Sequence, residues 1–444
     1  MHWDYKELEM NKKDAVYRWI DDHTAEVAGL LQQLIQAPSV NAEMDEDPSY
    51  KYEQRAQECL KTFLDNFGME TEFQYPNVEK LRAYEGKPGY YPDHKFDNRP
   101  NLLGTLKGQC KGKSIMLSGH MDVVPRGTKW MHDPFGGEII DGKIYGRGAC
   151  DMKGGISCMV MAAKAIAESG IKLKGDVKVG TVVDEEAGGM GTLALIAEGN
   201  RADACLITEA TDLQIAPLCR GILWGKIVID GRSGSIEMKK EDFRKGGPVD
   251  AIEKGRMYLK AIKNLNQEWA ITKQHKYMTL PCQINVAEFH AGEYPTTYAN
   301  HCEIVFDAQY LPSEKDQNGL GSRVKKELEN FVSSVAEADP WLQENPPHIE
   351  WMIDADCGET LDNQPFFKQV VKSAREIHPS SEIEGIGFHT DMGWFCRVGI
   401  PTMNIGPGNP RLDHHSDEYV EIKDLVTCTK MIASIIMDWC EISE

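Results

Sequence analysis

Ser118-Gly119-His120-Met121-Asp122 sets an imidazole and a carboxylate two residues apart at the end of an apolar run. On an extended segment, residues i and i+2 share one face. A metal-bound imidazole usually gives its second N–H to a carboxylate, which fixes its tautomer. Asp122 is placed to do that for His120. Further motifs follow in order: Cys150-Asp151-Met152 within glycines, Asp184-Glu185-Glu186, Thr208-Glu209 and Asp413-His414-His415-Ser416-Asp417-Glu418. A glycine-flanked loop lets the backbone bring the Asp151 carboxylate close to two cations. Glu185 and Glu186 stand at a strand end, where successive side chains diverge. One can ligate a metal while the other reaches its water. A carboxylate bridging two ions about 3.5–4 Å apart would let them polarise a carbonyl and supply hydroxide near neutral pH. Nitrogen and carboxylate donors without thiolate suit Zn2+, two ions per chain, with Co2+ or Mn2+ as alternatives.

A lone His-x-Asp or Asp-Glu-Glu is commonplace; the weight comes from their order and from the strand-like segment beside each. Apolar runs at Asn101–Leu106, Ser114–Ser118, Val177–Val183, Ala204–Thr208 and Ile400–Ile405 read as strands. Helical spacing runs from Lys12 to Ile35 and from Tyr52 to Phe67. It recurs over Ile156–Ala167, Thr192–Gly199, Gln364–Ile377 and Ile422–Trp439. Strands alternating with helices predict an α/β core with a mostly parallel central sheet. Ligand sites on such sheets lie beyond the carboxyl ends of the strands. Trp130–Arg147 reads as a hairpin. Tyr84–Phe96, rich in Gly, Pro and Tyr, reads as a loop that either walls a pocket or is a surface insertion. The style changes after Ala216: four strands and two helices predict an inserted α+β domain. The expected division is 1–217 and 355–444 for the main domain and 218–354 for the insertion.

The 444 residues carry a formal charge of −20, which argues against nucleic acid or an anionic membrane as partner. No apolar run reaches the ~20 residues that span a bilayer, and the amino terminus does not read as a signal peptide. Twelve scattered cysteines without a Cys-x-x-Cys pair predict free thiols in a reducing cytoplasm. Cys150, beside Asp151, reads as a packing residue.

The motifs Ser118–Pro125, Trp130 with Asp133-Pro134-Phe135, Gly146–Gly155, Asp184–Glu186, Thr208-Glu209 and His414–Val420 resemble the zinc aminoacylase and carboxypeptidase G family. That family includes acetylornithine deacetylase and succinyl-diaminopimelate desuccinylase. The resemblance covers nearly the whole chain. It implies a zinc-peptidase-like catalytic domain interrupted by a smaller lid, which often makes a homodimer. It makes His120, Asp151 and Glu209 ligands of one metal and Asp151, Glu186 and His414 ligands of the other. Glu185 becomes the general base and acid, and Asp122 the residue that orients His120. It selects His414 over His415, because the family's late His precedes the Glu of Asp-Glu-Tyr-Val by four residues. It also implies a cis peptide bond after Asp151.

The chain departs from the family in its lid. Ser235 stands where members carry an oxyanion-stabilising His, and Thr296 and Gln309 stand near the positions of a substrate-binding Asn and Arg. One oxyanion donor is worth ~10²–10³ in turnover. His389 is the first candidate replacement and His290 a weaker one; Arg411 and Arg220 are candidates for a substrate carboxylate. The expected activity is hydrolysis of a C–N amide bond in a small molecule, an N-acyl amino acid or small peptide. The alternatives are an unusual non-peptide C–N substrate, such as an aryl amine or cyclic amide, and a catalytically silent metal-binding homologue.

Overall fold

Three strands that are buried along almost their whole length form the middle of a six-stranded sheet: β3 (Ile115–His120), β6 (Val177–Val182) and β7 (Ala204–Ile207). Strands buried on both faces read as continuous apolar runs, and these three do. The computed structural model describes residues 2–44 and 53–443, with side chains from residue 12 onward. In chain order the other strands are β1 (Glu70–Gln74), β2 (Asn101–Leu106), β4 (Glu138–Ile140), β5 (Lys143–Tyr145), β8 (Gly221–Asp230), β9 (Ile284–Ala291), β10 (His301–Tyr310), β11 (His348–Ala355), β12 (Thr402–Asn404) and β13 (Tyr419–Glu421). The large sheet runs β1-β2-β6-β3-β7-β12. β6, β3, β7 and β12 are parallel to their neighbours in that group, while β1 and β2 run antiparallel at one edge. The mostly parallel α/β core is therefore as expected.

The chain divides into two compact units. The first comprises Met1–Leu218, Gly358–Ile386 and Thr390–Glu444; the second comprises Cys219–Cys357 and Gly387–His389. In the first, the helix Lys153–Glu168 is buried along most of its length and packs against the helix Ile422–Cys440. At Gly155 a Cβ would lie 1.8 Å from the carbonyl oxygen of Thr208, the residue after β7. A backbone oxygen cannot swing aside. Gly155→Ala should therefore cost about 3 kcal/mol, the upper range for overpacking a core, read as a lowered midpoint of urea unfolding. The second unit is an antiparallel sheet, β11-β8-β10-β9, with the helices Ala251–Thr272 and Ser322–Ala336 packed on it.

Local details differ from the sequence reading. The helix read over Lys12–Ile35 is two helices, His2–Asp22 and Thr24–Ile35. His23 leaves helical geometry (φ −109°, ψ 21°), donates from Nδ1 to the Trp19 carbonyl at 2.7 Å and stacks on the Trp19 ring. β1 was not legible because Glu-Thr-Glu-Phe-Gln is almost wholly polar, as suits a partly exposed edge. The Tyr52 start of the second helix lies outside the described residues, and the helix runs from Gln54 to Asn66. Gly387–His389, within the span expected for the main domain, groups with the second unit. The Arg220 amide donates to the Phe388 carbonyl at 3.3 Å, and His389 Nδ1 to that of Asp356 at 2.8 Å. Among the described residues no helix is long and apolar enough to cross a membrane.

Candidate active site

The first unit brings five of the predicted metal-binding residues into one cluster. His120 is the last residue of β3, Glu186 follows β6 by four residues, and Glu209 follows β7 by two. Asp151 ends the loop that leads into the helix Lys153–Glu168, and His414 stands in a left-handed conformation (φ 62°) after the turn Pro410–Leu412. The two oxygens of Asp151 face two imidazoles: Oδ1 lies 3.0 Å from His120 Nε2 and Oδ2 3.1 Å from His414 Nε2. His414 Nε2 is also 3.2 Å from Glu186 Oε2, and His120 Nε2 is 3.6 Å from Glu209 and 3.9 Å from Glu185. The Asp151–Met152 peptide bond is cis.

The orientation of His120 is set differently from the expectation. Its Nδ1 lies 2.9 Å from the backbone carbonyl oxygen of Asp122 and 3.7 Å from that residue's carboxylate. A carbonyl only accepts, so Nδ1 carries a proton and Nε2 is the nitrogen turned to the cluster. The Asp122 carboxylate instead accepts from the amides of Glu185 (3.2 Å) and Glu186 (3.1 Å) and from Asn41 (2.7 Å). Asp122 thus aims the imidazole through its backbone and holds the Asp-Glu-Glu turn through its side chain.

Burial raises the carboxyls of Glu185 and Glu209 well above their ordinary range; His120 opposes this, and neighbouring carboxylates add to it. Burial would lower the His120 imidazole, but Glu209, Asp151 and Glu185 outweigh it and raise it strongly. Hydrogen bonds to Asp151 and Glu186 raise His414 in the same direction. Such a crowd of acceptors around two imidazole nitrogens is short of positive charge, and bound cations invert its pKa pattern. His120, Asp151 and Glu186 offer ligand atoms within 4.8 Å of one another. Glu186 Oε1 is buried without a hydrogen-bond partner among the described residues. The donor set fits divalent cations on both counts.

The sequence pattern described as peptidase family M20/M25/M40 matches residues 116–438, which span all of these side chains. The chain belongs to this family. An M20 relative, N-formyl-4-amino-5-aminomethyl-2-methylpyrimidine deformylase of Halalkalibacterium halodurans, is 28% identical over 95% of this chain and 96% of its own length. Acetylornithine deacetylase of Myxococcus xanthus is 26% identical over 77% of this chain and 84% of its own length. Among solved structures, a di-peptidase of Saccharomyces cerevisiae aligns with a TM-score of 0.72 at 15% identity, covering 97% of this chain and 99% of that one. As an M20 member the chain is a hydrolase of carbon–nitrogen bonds.

Around this M20 cluster lies a layer of buried charges that the motifs alone did not single out. Glu418 accepts from the amides of Gly148 (3.1 Å), Cys150 (2.7 Å) and Asp151 (3.0 Å), and from Arg147 Nη1 at 2.6 Å. It therefore clamps the loop that carries Asp151. Arg99, wholly buried, binds Glu53 through Nε (3.0 Å) and Asp184 through Nη2 (2.9 Å). Glu53 and Arg99 lie far apart along the chain, so no spacing rule could pair them. Glu418 did carry a signal, its fixed distance from His414. Cys150 is buried, its thiol pushed up by burial, and its Sγ donates to the Asn409 carbonyl at 3.3 Å. It packs in the interior, as the sequence reading expected.

The substrate-contact candidates divide between the two units. Arg220, Ser235 and His389 belong to the second unit, outside the cluster's own unit. The Arg220 guanidinium donates to Gln309 Oε1 at 2.6 Å and to the Leu280 carbonyl, so two of its nitrogens serve its own unit. Ser235 is exposed and its Oγ accepts from the Glu237 amide at 3.2 Å. Burial holds the His389 imidazole down at about 4, a neutral ring at pH 7. Arg411 is exposed in the first unit and lines a cavity of about 180 Å³ with Asp212, Asn409, Tyr419, Glu421 and Asp424.

Proposed function

We propose that this M20 hydrolase removes the acyl group from a small N-acyl amine, with His120, Asp151, Glu209, Glu186 and His414 holding two divalent cations. The single observation behind the reading is the Asp151 carboxylate, whose two oxygens stand about equally far from the two imidazoles (3.0 and 3.1 Å). In this reading His120, Asp151 and Glu209 hold one ion, and Asp151, Glu186 and His414 the other. Zn2+ is the first choice for this donor chemistry, with Co2+ or Mn2+ as substitutes. When bound, such ions polarise a carbonyl and acidify water.

The chain's own residues supply the rest. Glu185 takes the proton from the attacking water and returns it to the departing amine, the usual exchange of base and acid roles. Asp122 keeps Glu185 in place through its amide, and His120 in place through the Asp122 carbonyl. The second unit serves as lid, and its edge strand β9 gives a homodimer a strand to pair with. The described cysteines are all free, which suits a cytoplasmic location.

The near full-length likeness to a deformylase of an aminomethylpyrimidine supports a non-peptide amine and a small acyl group. The shorter likeness to a deacetylase supports an N-acyl amino acid as the second reading. The test is amine release from N-formyl-4-amino-5-aminomethyl-2-methylpyrimidine, acetylornithine, succinyl-diaminopimelate and simple dipeptides, with protein loaded with Zn2+, Co2+ or Mn2+. The expected result is turnover of the N-formyl compound with kcat/KM at least about tenfold above every peptide, and its loss on chelation. Preference for dipeptides would overturn the deacylase reading; full activity after chelation would overturn the metal reading.

A further inference from the structure

β1 and β2 are antiparallel neighbours, a pairing that two to five residues can close. Here the connection takes residues 75–100. It carries a short helix at Val78–Leu81 and a 3-10 turn at Arg82–Tyr84, far more chain than the pairing needs. Several of its contacts fall on the turn that carries Glu185 and Glu186. His94, partly buried, places Nδ1 2.8 Å from Asp184 Oδ2. Asp184 itself is fully buried in a left-handed conformation (φ 71°), and Arg99 takes its other oxygen at 2.9 Å. Tyr91 stacks on His94 with ring centroids 5.0 Å apart and lies against Gly188. A Cβ at Gly188 would be 2.2 Å from Tyr91 Cε2. The Gly188 amide donates to the Glu185 carbonyl at 2.9 Å and the Gly189 amide to that of Asp184 at 2.7 Å. The excursion and the turn are therefore packed as one piece.

We propose that His94 is a positioning residue for this site: through Asp184 it holds the turn that aims Glu185 and Glu186. The proposal rests on the roles given to those two glutamates above. Asp122 grips the turn by the Glu185 and Glu186 amides and Arg99 grips it by Asp184. Loss of His94 therefore loosens the aim of the turn and leaves the fold standing. Partners of this kind, one layer out from a metal, typically cost about 10–100-fold in metal affinity or activity when removed.

The experiment compares His94→Ala, His94→Asn, Glu185→Gln and the double variant His94→Ala/Glu185→Gln with the unmodified chain. Asn is chosen because its Nδ2 takes the place of the imidazole Nδ1. Two quantities are read: kcat and KM on the compound turned over fastest in the panel above, and the affinity for Co2+ by calorimetric titration. His94→Ala should lower kcat about tenfold with KM within twofold, and weaken Co2+ binding about tenfold. His94→Asn should restore both. In the Glu185→Gln background the alanine should slow turnover no further, while its effect on Co2+ persists. The proposal falls if His94→Ala leaves both kcat and Co2+ affinity unchanged, or if His94→Asn is as impaired as His94→Ala. It falls also if the alanine's full rate effect survives in the double variant. A wild-type rate in Glu185→Gln alone overturns the base assignment instead, and Co2+ affinity then still tests His94 through Glu186.

Discussion

Glu185→Gln should lower kcat by about 10³-fold, within the range general-base catalysis supplies, while the protein keeps its metal content and its unfolding midpoint. Gln preserves the volume and leaves the Glu185 amide bonded to Asp122 at 3.2 Å, so the turn stays in place. What disappears is the carboxylate 3.9 Å from His120 Nε2. Burial and the neighbouring carboxylates hold that carboxyl well above its ordinary range. In the proposed mechanism a nearby dication would reverse this shift and leave the group a base near neutral pH. The measurement is amine release under saturating substrate, with elemental analysis of the same sample. A variant that turns over at the unmodified rate removes Glu185 from the mechanism. One that loses metal makes it a ligand.

Asp151→Asn should have the other large effect, and a different signature. Both imidazoles lose their shared anionic partner, so metal affinity should fall by more than the ~10² that an outer-layer change costs. Turnover should drop to background at ordinary metal concentrations. Excess Co2+ should recover part of it, which it cannot do for Glu185→Gln. Retention of two ions per chain at unmodified affinity would take residue 151 out of the bridging position.

The cluster was legible in the sequence because each of its members sits where a local rule applies. His120, Glu186 and Glu209 follow apolar runs that could only be buried strands, and parallel sheets gather their sites at those ends. The choice of His414 over His415 rests on the family resemblance alone, which sets the late His four residues before Glu418. The supporting layer was not legible, because Glu53, Arg99 and Asp184 meet only when three separate segments have packed. Residues 84–96 looked equally like a surface insertion or a wall. Only their contacts with Asp184 and Gly188 decide the matter, and those come from tertiary packing. The orienting bond to His120 was misassigned for a related reason. The i, i+2 pattern places the carboxylate on the correct face, yet the nearer acceptor is the backbone of that same residue. The polar edge strand β1 and the break at His23 likewise depend on neighbours, a paired strand and a stacked indole, that no periodicity records.

The clamp formed by Glu418 also bears on the order of events at the ribosome. The loop ending in Asp151 presents three amides whose common acceptor is translated more than 260 residues later. A nascent chain that has already emerged through Glu209, just beyond β7, possesses His120, Asp151, Glu186 and Glu209 but lacks both the clamp and the second imidazole. On the proposed two-ion reading, the complete vessel for the ions therefore exists only once synthesis is nearly finished.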